Sequence, residues 1–373
     1  MDKDYKKVVI ALTGGGTAGH VVPTITVGKK LKQVNKNLKI IYLGSRNGLE
    51  EKMAQELGFK FFNISAGKWR RYFSLANLLT PYMIWKGVRQ AKKILQTQEV
   101  KVIFAKGGYV SFPVILAASK LNIPVIGHES DSVIGKTNLM LLKHMKALAV
   151  AFPRSLYPKK LKEKLVYTGV PISEVFLKKK KDWPRDLKLK NNLPVLVVTG
   201  GSQGAQFLNN FIFRNLKTLL PICQVIHLTG EQGVAEAKKI KKAYKIKSIK
   251  NYHFNAFSDH MPAILEHADL ILSRAGANTL FELAATKKAA ILIPLPQAAQ
   301  DHQMANAHFA ARLGGAVVFN QKKFNEGKLL STIRHFLNHP EICEDLGRKL
   351  HGLYVVDSTD RIVDLILEQL ENN

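Results

Sequence analysis

Two glycine-rich turns, each placed directly after an apolar run, are the residues with the plainest chemical capacity in this chain. The first is Gly14-Gly15-Gly16-Thr17-Ala18-Gly19-His20, after Val8-Val9-Ile10-Ala11-Leu12. The second is Gly200-Gly201-Ser202-Gln203-Gly204-Ala205, after Val195-Leu196-Val197-Val198. Each precedes a segment of helical character. Glycine lets a backbone pass close to a ligand, and a helix N-terminus supplies N–H groups and partial positive charge to phosphates or to a developing anion. One such loop can open any doubly wound α/β domain. Two of them predict two Rossmann-like domains facing a shared cleft, an arrangement suited to a two-substrate enzyme.

The first loop also reads Gly-x-Gly-x-x-Gly at Gly14, Gly16 and Gly19. A dinucleotide site wants an acidic residue after the second strand to hold the ribose. This chain has Ser45-Arg46-Asn47 there, which leaves only an NADP reading. His20 stands at the mouth of the loop, where dinucleotide binding has no use for it. An imidazole at a helix N-terminus is held neutral and suits a general base. The other reading of the same position is a hydrogen-bonded structural histidine. Downstream, Thr279-Leu280-Phe281-Glu282 has the spacing of a capping box, in which threonine and glutamate satisfy N–H groups at a helix start.

The elements that must position these residues follow from the apolar patterning. Runs near 8–13, 39–43, 101–105, 123–127 and 147–151 read as strands in the first half. Those near 194–199, 223–228, 268–272, 289–294 and 316–319 repeat the rhythm in the second. Helix-length segments alternate with them, which implies parallel sheets with right-handed crossovers. The 373 residues allow two domains of ordinary size. The boundary is expected around Tyr167-Thr168-Gly169-Val170-Pro171, dividing 1–167 from 168–357. The basic run Lys178 to Lys181 then reads as a solvated loop, and the lysine-rich stretch 238–250 as an exposed face. The last segment, 358–373, has apolar residues at Ile362, Val363, Leu365, Ile366 and Leu370, an amphipathic helix able to pack on either domain and to return to the first.

Charge and cysteine content narrow the function classes. The formal net charge is +28, and residues 1–170 hold +20 of it, with 29 Lys and Arg against 9 Asp and Glu. A basic first domain suggests an anionic partner, whether nucleic acid, membrane surface or phosphorylated substrate; lysine enrichment of every surface is the plainer alternative. Cys223 and Cys343 have no ligand or redox spacing, which reads as a reducing cytoplasm without a disulfide framework. No uninterrupted apolar stretch is long enough to span a bilayer. The segment Met1 to Lys7 lacks the apolar core of a signal peptide.

Six motifs in order and register carry a resemblance. They are the two glycine loops, Gly107-Gly108-Tyr109-Val110-Ser111-Phe112-Pro113, His128-Glu129-Ser130-Asp131, Arg274-Ala275-Gly276-Ala277-Asn278-Thr279-Leu280-Phe281-Glu282 and Gln300-Asp301-His302-Gln303-Met304-Ala305-Asn306-Ala307. Over nearly its whole length the chain resembles the MurG family, bacterial transferases that add N-acetylglucosamine (GlcNAc) to lipid I in peptidoglycan synthesis. The resemblance implies the GT-B fold, with lipid I on the first domain and UDP-GlcNAc on the second. It also implies one inverting displacement by the acceptor C4 hydroxyl, without a metal or other cofactor. It makes His20 the candidate base, with Asp131 and Glu129 as further catalytic candidates.

The same resemblance assigns Gly16, Thr17, Ala18, Gly19, Tyr109 and Asp131 to substrate in the first domain. In the second it assigns Ser173, Ser202, Gln203, Ser258, Ala277, Asn278, Thr279, Leu280, Phe281, Glu282 and Gln303. Glu282 would take the ribose hydroxyls, against the capping reading, and Gln303 the donor sugar, against an ordinary surface glutamine. Two positions depart from the commonest pattern. Asp131 stands where many relatives have asparagine, adding a carboxylate. Ser173 stands where many have arginine, removing a charge near the donor.

Lys68-Trp69-Arg70-Arg71-Tyr72-Phe73-Ser74-Leu75, continuing to Pro81-Tyr82-Met83-Ile84-Trp85-Lys86, interleaves aromatic and basic residues. This pattern is read as a nucleic-acid surface, as a core helix with a charged edge, or as an interfacial patch on anionic lipid. The lipid-linked acceptor favours the last, with attachment at the cytoplasmic face of the membrane and no nucleic acid. Rival activities are a UDP-sugar epimerase, a glycolipid glycosyltransferase and an NADP oxidoreductase. The oxidoreductase leaves the second glycine loop unexplained, and no RNA-recognition signature accompanies the charge.

Overall fold

The computed structural model describes residues 8–67, 77–177, 193–201, 204–244 and 247–371, together with Leu189. The chain divides into two compact units, Met1–Ile172 with Val355–Asn373, and Ser173–Tyr354.

The first unit is built on seven strands: β1 (Val9–Thr13), β2 (Lys39–Gly44), β3 (Lys60–Asn63), β4 (Val100–Ala105), β5 (Val125–Glu129), β6 (Ala147–Val150) and β7 (Leu165–Tyr167). Their order is β3-β2-β1-β4-β5-β6-β7, and every pairing is parallel. β1 is buried along its whole length, as expected of a central parallel strand covered by helices on both faces. Chain order reverses between β1 and β4, so loops leaving their carboxyl ends diverge and open a crevice. The C-terminal helix, Ser358–Glu371, belongs to this unit. Its Ile362, Val363 and Ile366 enter the core with Val21, Leu31 and Val102, and Ser358 Oγ donates to Val170 O at 2.7 Å.

The second unit has six parallel strands: β8 (Val195–Thr199), β9 (Gln224–Leu228), β10 (Tyr252–Asn255), β11 (Leu270–Ser273), β12 (Ala290–Leu292) and β13 (Ala316–Val318). They run in the order β10-β9-β8-β11-β12-β13. The reversal falls between β8 and β11. The core joins Leu196, Val198, Leu208, Phe211 and Leu272 to Leu329 and Ile333 of the helix Glu326–Asn338. The parallel α/β architecture expected from the alternation is therefore present in both units.

Three strands were not legible in the sequence, β3, β7 and β10, and each is a sheet edge. An edge strand pairs on one side only and needs no long apolar run. β3 has no fully buried residue, and β7 is three residues long.

The helix Thr80–Thr97 packs through Thr80, Gly87, Ala91 and Leu95. At Gly87 a methyl group would overlap the Ser65 carbonyl oxygen and lie 3.1 Å from Pro113 Cβ. Gly87→Ala should therefore cost about 1–3 kcal/mol through overpacking, read as a lower thermal midpoint. An unchanged midpoint would show that the helix slides away without loss.

Candidate active site

At the carboxyl end of β1 the backbone of Gly14–Gly16 threads between side chains. A Cβ on Gly15 would overlap the Glu50 carboxylate, which is buried and accepts from Ser45 Oγ at 2.5 Å. Gly16 has φ +88°, and a Cβ there would sit 2.7 Å from Tyr109 Cε1. The positive φ favours glycine at Gly16, and any side chain at Gly15 would have to displace the Glu50 carboxylate. Tyr42 OH donates to Gly14 O from the neighbouring strand, fixing the loop from below.

The helix Ala18–Val34 starts immediately after this loop, with Thr17 as its N-cap. Thr17 Oγ1 lies 3.1 Å from His20 Nδ1, and the imidazole packs at Gly108. Gly16, Thr17 and Gly19 are exposed; Ala18, His20 and Tyr109 are half-buried. The structure thus brings the His20 loop and the Gly107-Gly108-Tyr109 turn together across adjacent strands. Ala18 and Gly19 occupy the first turn of this helix.

At the end of β5, Glu129 is held by three donors. Gly135 N and Asn138 Nδ2 reach its Oε2 at 2.8 and 3.0 Å, and Asp131 N reaches its Oε1 at 3.1 Å. Burial pushes this carboxyl above the ordinary range, Asp131 adds to the effect, and Lys106 opposes it. Asp131 is half-buried, and its carbonyl oxygen accepts from Tyr157 OH at 3.0 Å. His128 is fully buried, bonded through Nε2 to Gly169 O, and burial holds its pKa well below the usual value. Lys106, Asn138 and Tyr157 complete this network, and none was singled out from sequence. The available signal was a lysine at the buried end of a strand, directly before Gly107-Gly108.

In the second unit the helix Ala277–Ala285 follows β11, with Gly276 as N-cap and no side-chain cap. This corrects the capping-box expectation, because the chain enters the helix three residues before Thr279. Glu282 lies in the second turn, half-buried. Its carboxyl has no hydrogen-bond or charge partner among the described residues, and desolvation pushes its pKa up to about 8.

Leu280 and Phe281 are fully buried core side chains, and Leu280 N is already bonded to Gly276 O. Ala277, Asn278 and Thr279 form the first turn, and Asn278 and Thr279 are half-buried.

Neighbouring segments clamp this helix start. Arg274 Nη1 donates to Ile293 O at 2.8 Å and to Gln321 Oε1 at 2.7 Å, and Asn306 Nδ2 donates to Ala275 O. Gln303 Oε1 accepts from Leu295 N at 3.0 Å, so this glutamine holds the loop after β12. Gln300 and Asp301 sit consecutively at φ +52° and +54°, a left-handed conformation that non-glycine residues seldom adopt.

Ser258, whose Oγ accepts from His260 N at 3.1 Å, follows edge strand β10; β9 and β8 separate it from β11. Ser173 is half-buried and precedes the single turn Glu174–Phe176. Ser202 and Gln203 lie outside the described residues, as do Lys68–Leu75 and the run Lys178–Lys181. Gly200, Gly201 and Gly204 follow β8, with Gly201 and Gly204 at φ +78° and +73°. Among the described residues, no group of three or more His, Cys, Asp or Glu side chains is arranged to hold a metal ion.

In the first unit Leu78, Leu79, Tyr82, Met83 and Trp85 are exposed, the first at 76%. Ile84 is half-buried. Tyr82 and Trp85 stack at 6.0 Å, and the Arg89 guanidinium lies 4.8 Å from the Trp85 ring. Among the described residues, no helix is long and apolar enough to cross a membrane.

Residues 10–150 match the glycosyltransferase family 28 N-terminal domain, and residues 195–353 match the family 28 C-terminal domain. A Clostridium perfringens UDP-N-acetylglucosamine--N-acetylmuramyl-(pentapeptide) pyrophosphoryl-undecaprenol N-acetylglucosamine transferase is 39% identical over 88% of this chain and 90% of its own length. The Clostridium tetani protein of the same name is 33% identical over 96% and 98%. The crystal structure of Acinetobacter baumannii MurG superposes with a TM-score of 0.74 at 28% identity, covering 97% of this chain and 99% of that one. With two parallel-sheet α/β units of GT-B type and near full-length similarity of this kind, the chain belongs to the MurG branch of glycosyltransferase family 28.

Proposed function

We propose that this enzyme transfers GlcNAc from UDP-GlcNAc to the C4 hydroxyl of the N-acetylmuramic acid unit of lipid I, giving lipid II. One observation carries the reading. In a chain similar over nearly its full length to N-acetylglucosamine transferases, most of the described motif residues gather at the carboxyl ends of the central strands of each unit. The first unit receives the acceptor and the second the donor. His20 takes the hydroxyl proton. Its Nδ1–H donates to Thr17 Oγ1 and its Nε2 carries the lone pair, the tautomer a base needs. The acceptor oxygen then forms its bond to the anomeric carbon as the bond to UDP breaks, and UDP departs with that electron pair. Helix N-termini after β8 and β11 stabilise the diphosphate. Glu282 accepts the ribose hydroxyls, which supply the hydrogen bonds its carboxyl lacks among the described residues.

The exposed Leu78, Leu79, Tyr82 and Trp85 with Lys86 and Arg89 support a second part of the proposal. This face enters the headgroup layer on the cytoplasmic side while its cations meet anionic lipid. The enzyme is peripheral there and collects its lipid-linked acceptor from the bilayer.

Incubation with UDP-GlcNAc and a lipid I analogue should release UDP only when the acceptor is present; equal turnover without it, giving free sugar, would point to an epimerase or hydrolase. His20→Ala should lower kcat on the order of 10²-fold or more while UDP affinity holds. A small change in kcat would make His20 structural.

Glu282→Gln should raise KM for UDP-GlcNAc. Because the folded carboxyl keeps its proton up to about pH 8 while the unfolded one loses it near the ordinary value, this residue lowers stability as pH rises between the two. The glutamine variant should therefore equal or exceed the parent in thermal midpoint at pH 8. A drop in midpoint with unchanged donor affinity would make the residue purely structural.

Replacing Lys86 and Arg89 together by glutamate should weaken binding to anionic vesicles by at least about 30-fold, at roughly 1 kcal/mol per cation. Turnover of a short-chain, water-soluble acceptor should hold. Vesicle binding equal to the parent would place the membrane contact elsewhere.

A further inference from the structure

Lys106 is 3% exposed, at the carboxyl end of β4, and no step above uses it. Lysine is almost never buried this far unless it is paired. Its N–H donates to Thr13 O at 2.9 Å, and its Nζ donates to Ser130 Oγ at 2.6 Å. Its Cβ lies directly under Gly14, where a methyl group would come within 2.9 Å. One residue therefore ties the loop that carries His20, through its backbone N–H and Cβ, to the turn that carries Glu129 and Asp131, through its Nζ.

The charged and titratable groups around it are few. Glu129 and Asp131 on the β5 turn are the anions that act on it electrostatically. His128 is kept neutral by burial. Tyr157, bonded to Asp131 O, has its phenol pushed up by burial and stays neutral. Glu50 approaches the same loop on its far side at Gly15, and His20 packs at Gly108.

Burial and the neighbouring Asp131 push the Glu129 carboxyl up, and Lys106 opposes them. A buried ammonium alone would tend to lose its proton. We propose that Lys106 is a positioning residue for the acceptor-side chemistry: its ammonium, bonded to Ser130 Oγ and charged beside Glu129, locks the Glu129-Ser130-Asp131 turn and favours the Glu129 carboxylate. The turn so held presents Asp131 to acceptor hydroxyls, and the Glu129 charge balances the imidazolium formed on His20. This rests on the reading that the acceptor binds at this end of the first unit.

The test is the pH dependence of kcat/KM for a lipid I analogue at saturating UDP-GlcNAc, in the parent, Lys106→Met and Lys106→Gln. Removing the cation that opposes the rise of the Glu129 carboxyl raises that pKa further, so activity is lost at higher pH on the acid side. The acidic limb should move up by about one pH unit or more, a loss of about tenfold below it, with recovery at high pH and KM for UDP-GlcNAc unchanged. Lys106→Gln can retain the Ser130 contact and carries the test if the methionine variant fails to fold. Ser130→Ala keeps the charge and should leave the limb in place.

A uniform loss at every pH, with the limb unmoved, would overturn the proposal. So would a Ser130→Ala shift as large as that of the lysine variants. If the parent itself transfers nothing to the acceptor analogue, it is the acceptor reading that fails.

Discussion

The carboxyl end of β1 in the first unit depends on how closely the Gly14–Gly16 backbone passes Glu50, Lys106 and Tyr109. A Cβ at Gly15 would overlap the Glu50 carboxylate, and one at Gly16 would strike the Tyr109 ring. This approach aims the helix Ala18–Val34, and with it His20, toward the turn at Gly108. It also leaves room beneath the loop for a lysine side chain to reach Ser130. A larger residue at any of these glycines would displace several groups together, because the side chains around them are themselves buried and bonded.

The two units handle buried charge differently. In the first, Lys106 lies among Glu129 and Asp131, and Glu129 has three N–H donors. That network is largely complete within the protein. In the second, Arg274 rests on the neutral acceptors Ile293 O, Pro294 O and Gln321 Oε1, with its pKa lowered by burial to about 10, so it stays charged. Glu282 meets no donor among the described residues. Desolvation without a partner is what raises its pKa to about 8.

The C-terminal helix shows how chain order and spatial order part company. Its apolar face, Ile362, Val363 and Ile366, was legible as amphipathic, yet nothing in that pattern says which sheet it covers. The choice rests on a surface 150 or more residues upstream. Val21 and Leu31 supply the apolar contact, and Val170 O accepts the bond from Ser358 Oγ. The paired glycine loops were visible because a turn after a buried strand needs glycine locally. Edge strands β3, β7 and β10 were not, because half-paired backbone makes weaker demands on side chains.

By itself the sequence determined the alternation of apolar strands and helices, the two phosphate-competent loops, the basic first half and the motif residues that converge on each sheet. These are local properties, set by spacing and by residue type within a few turns of chain. Only the tertiary structure decided that Leu280 and Phe281 face the core, that Gln303 braces the loop at Leu295 and that the helix starts at Ala277. It alone placed Lys106 under the glycine loop against Ser130, twenty-four residues away in sequence. Burial and electrostatic partnership are properties of what packs across the sheet, and no window of sequence contains both sides of that contact.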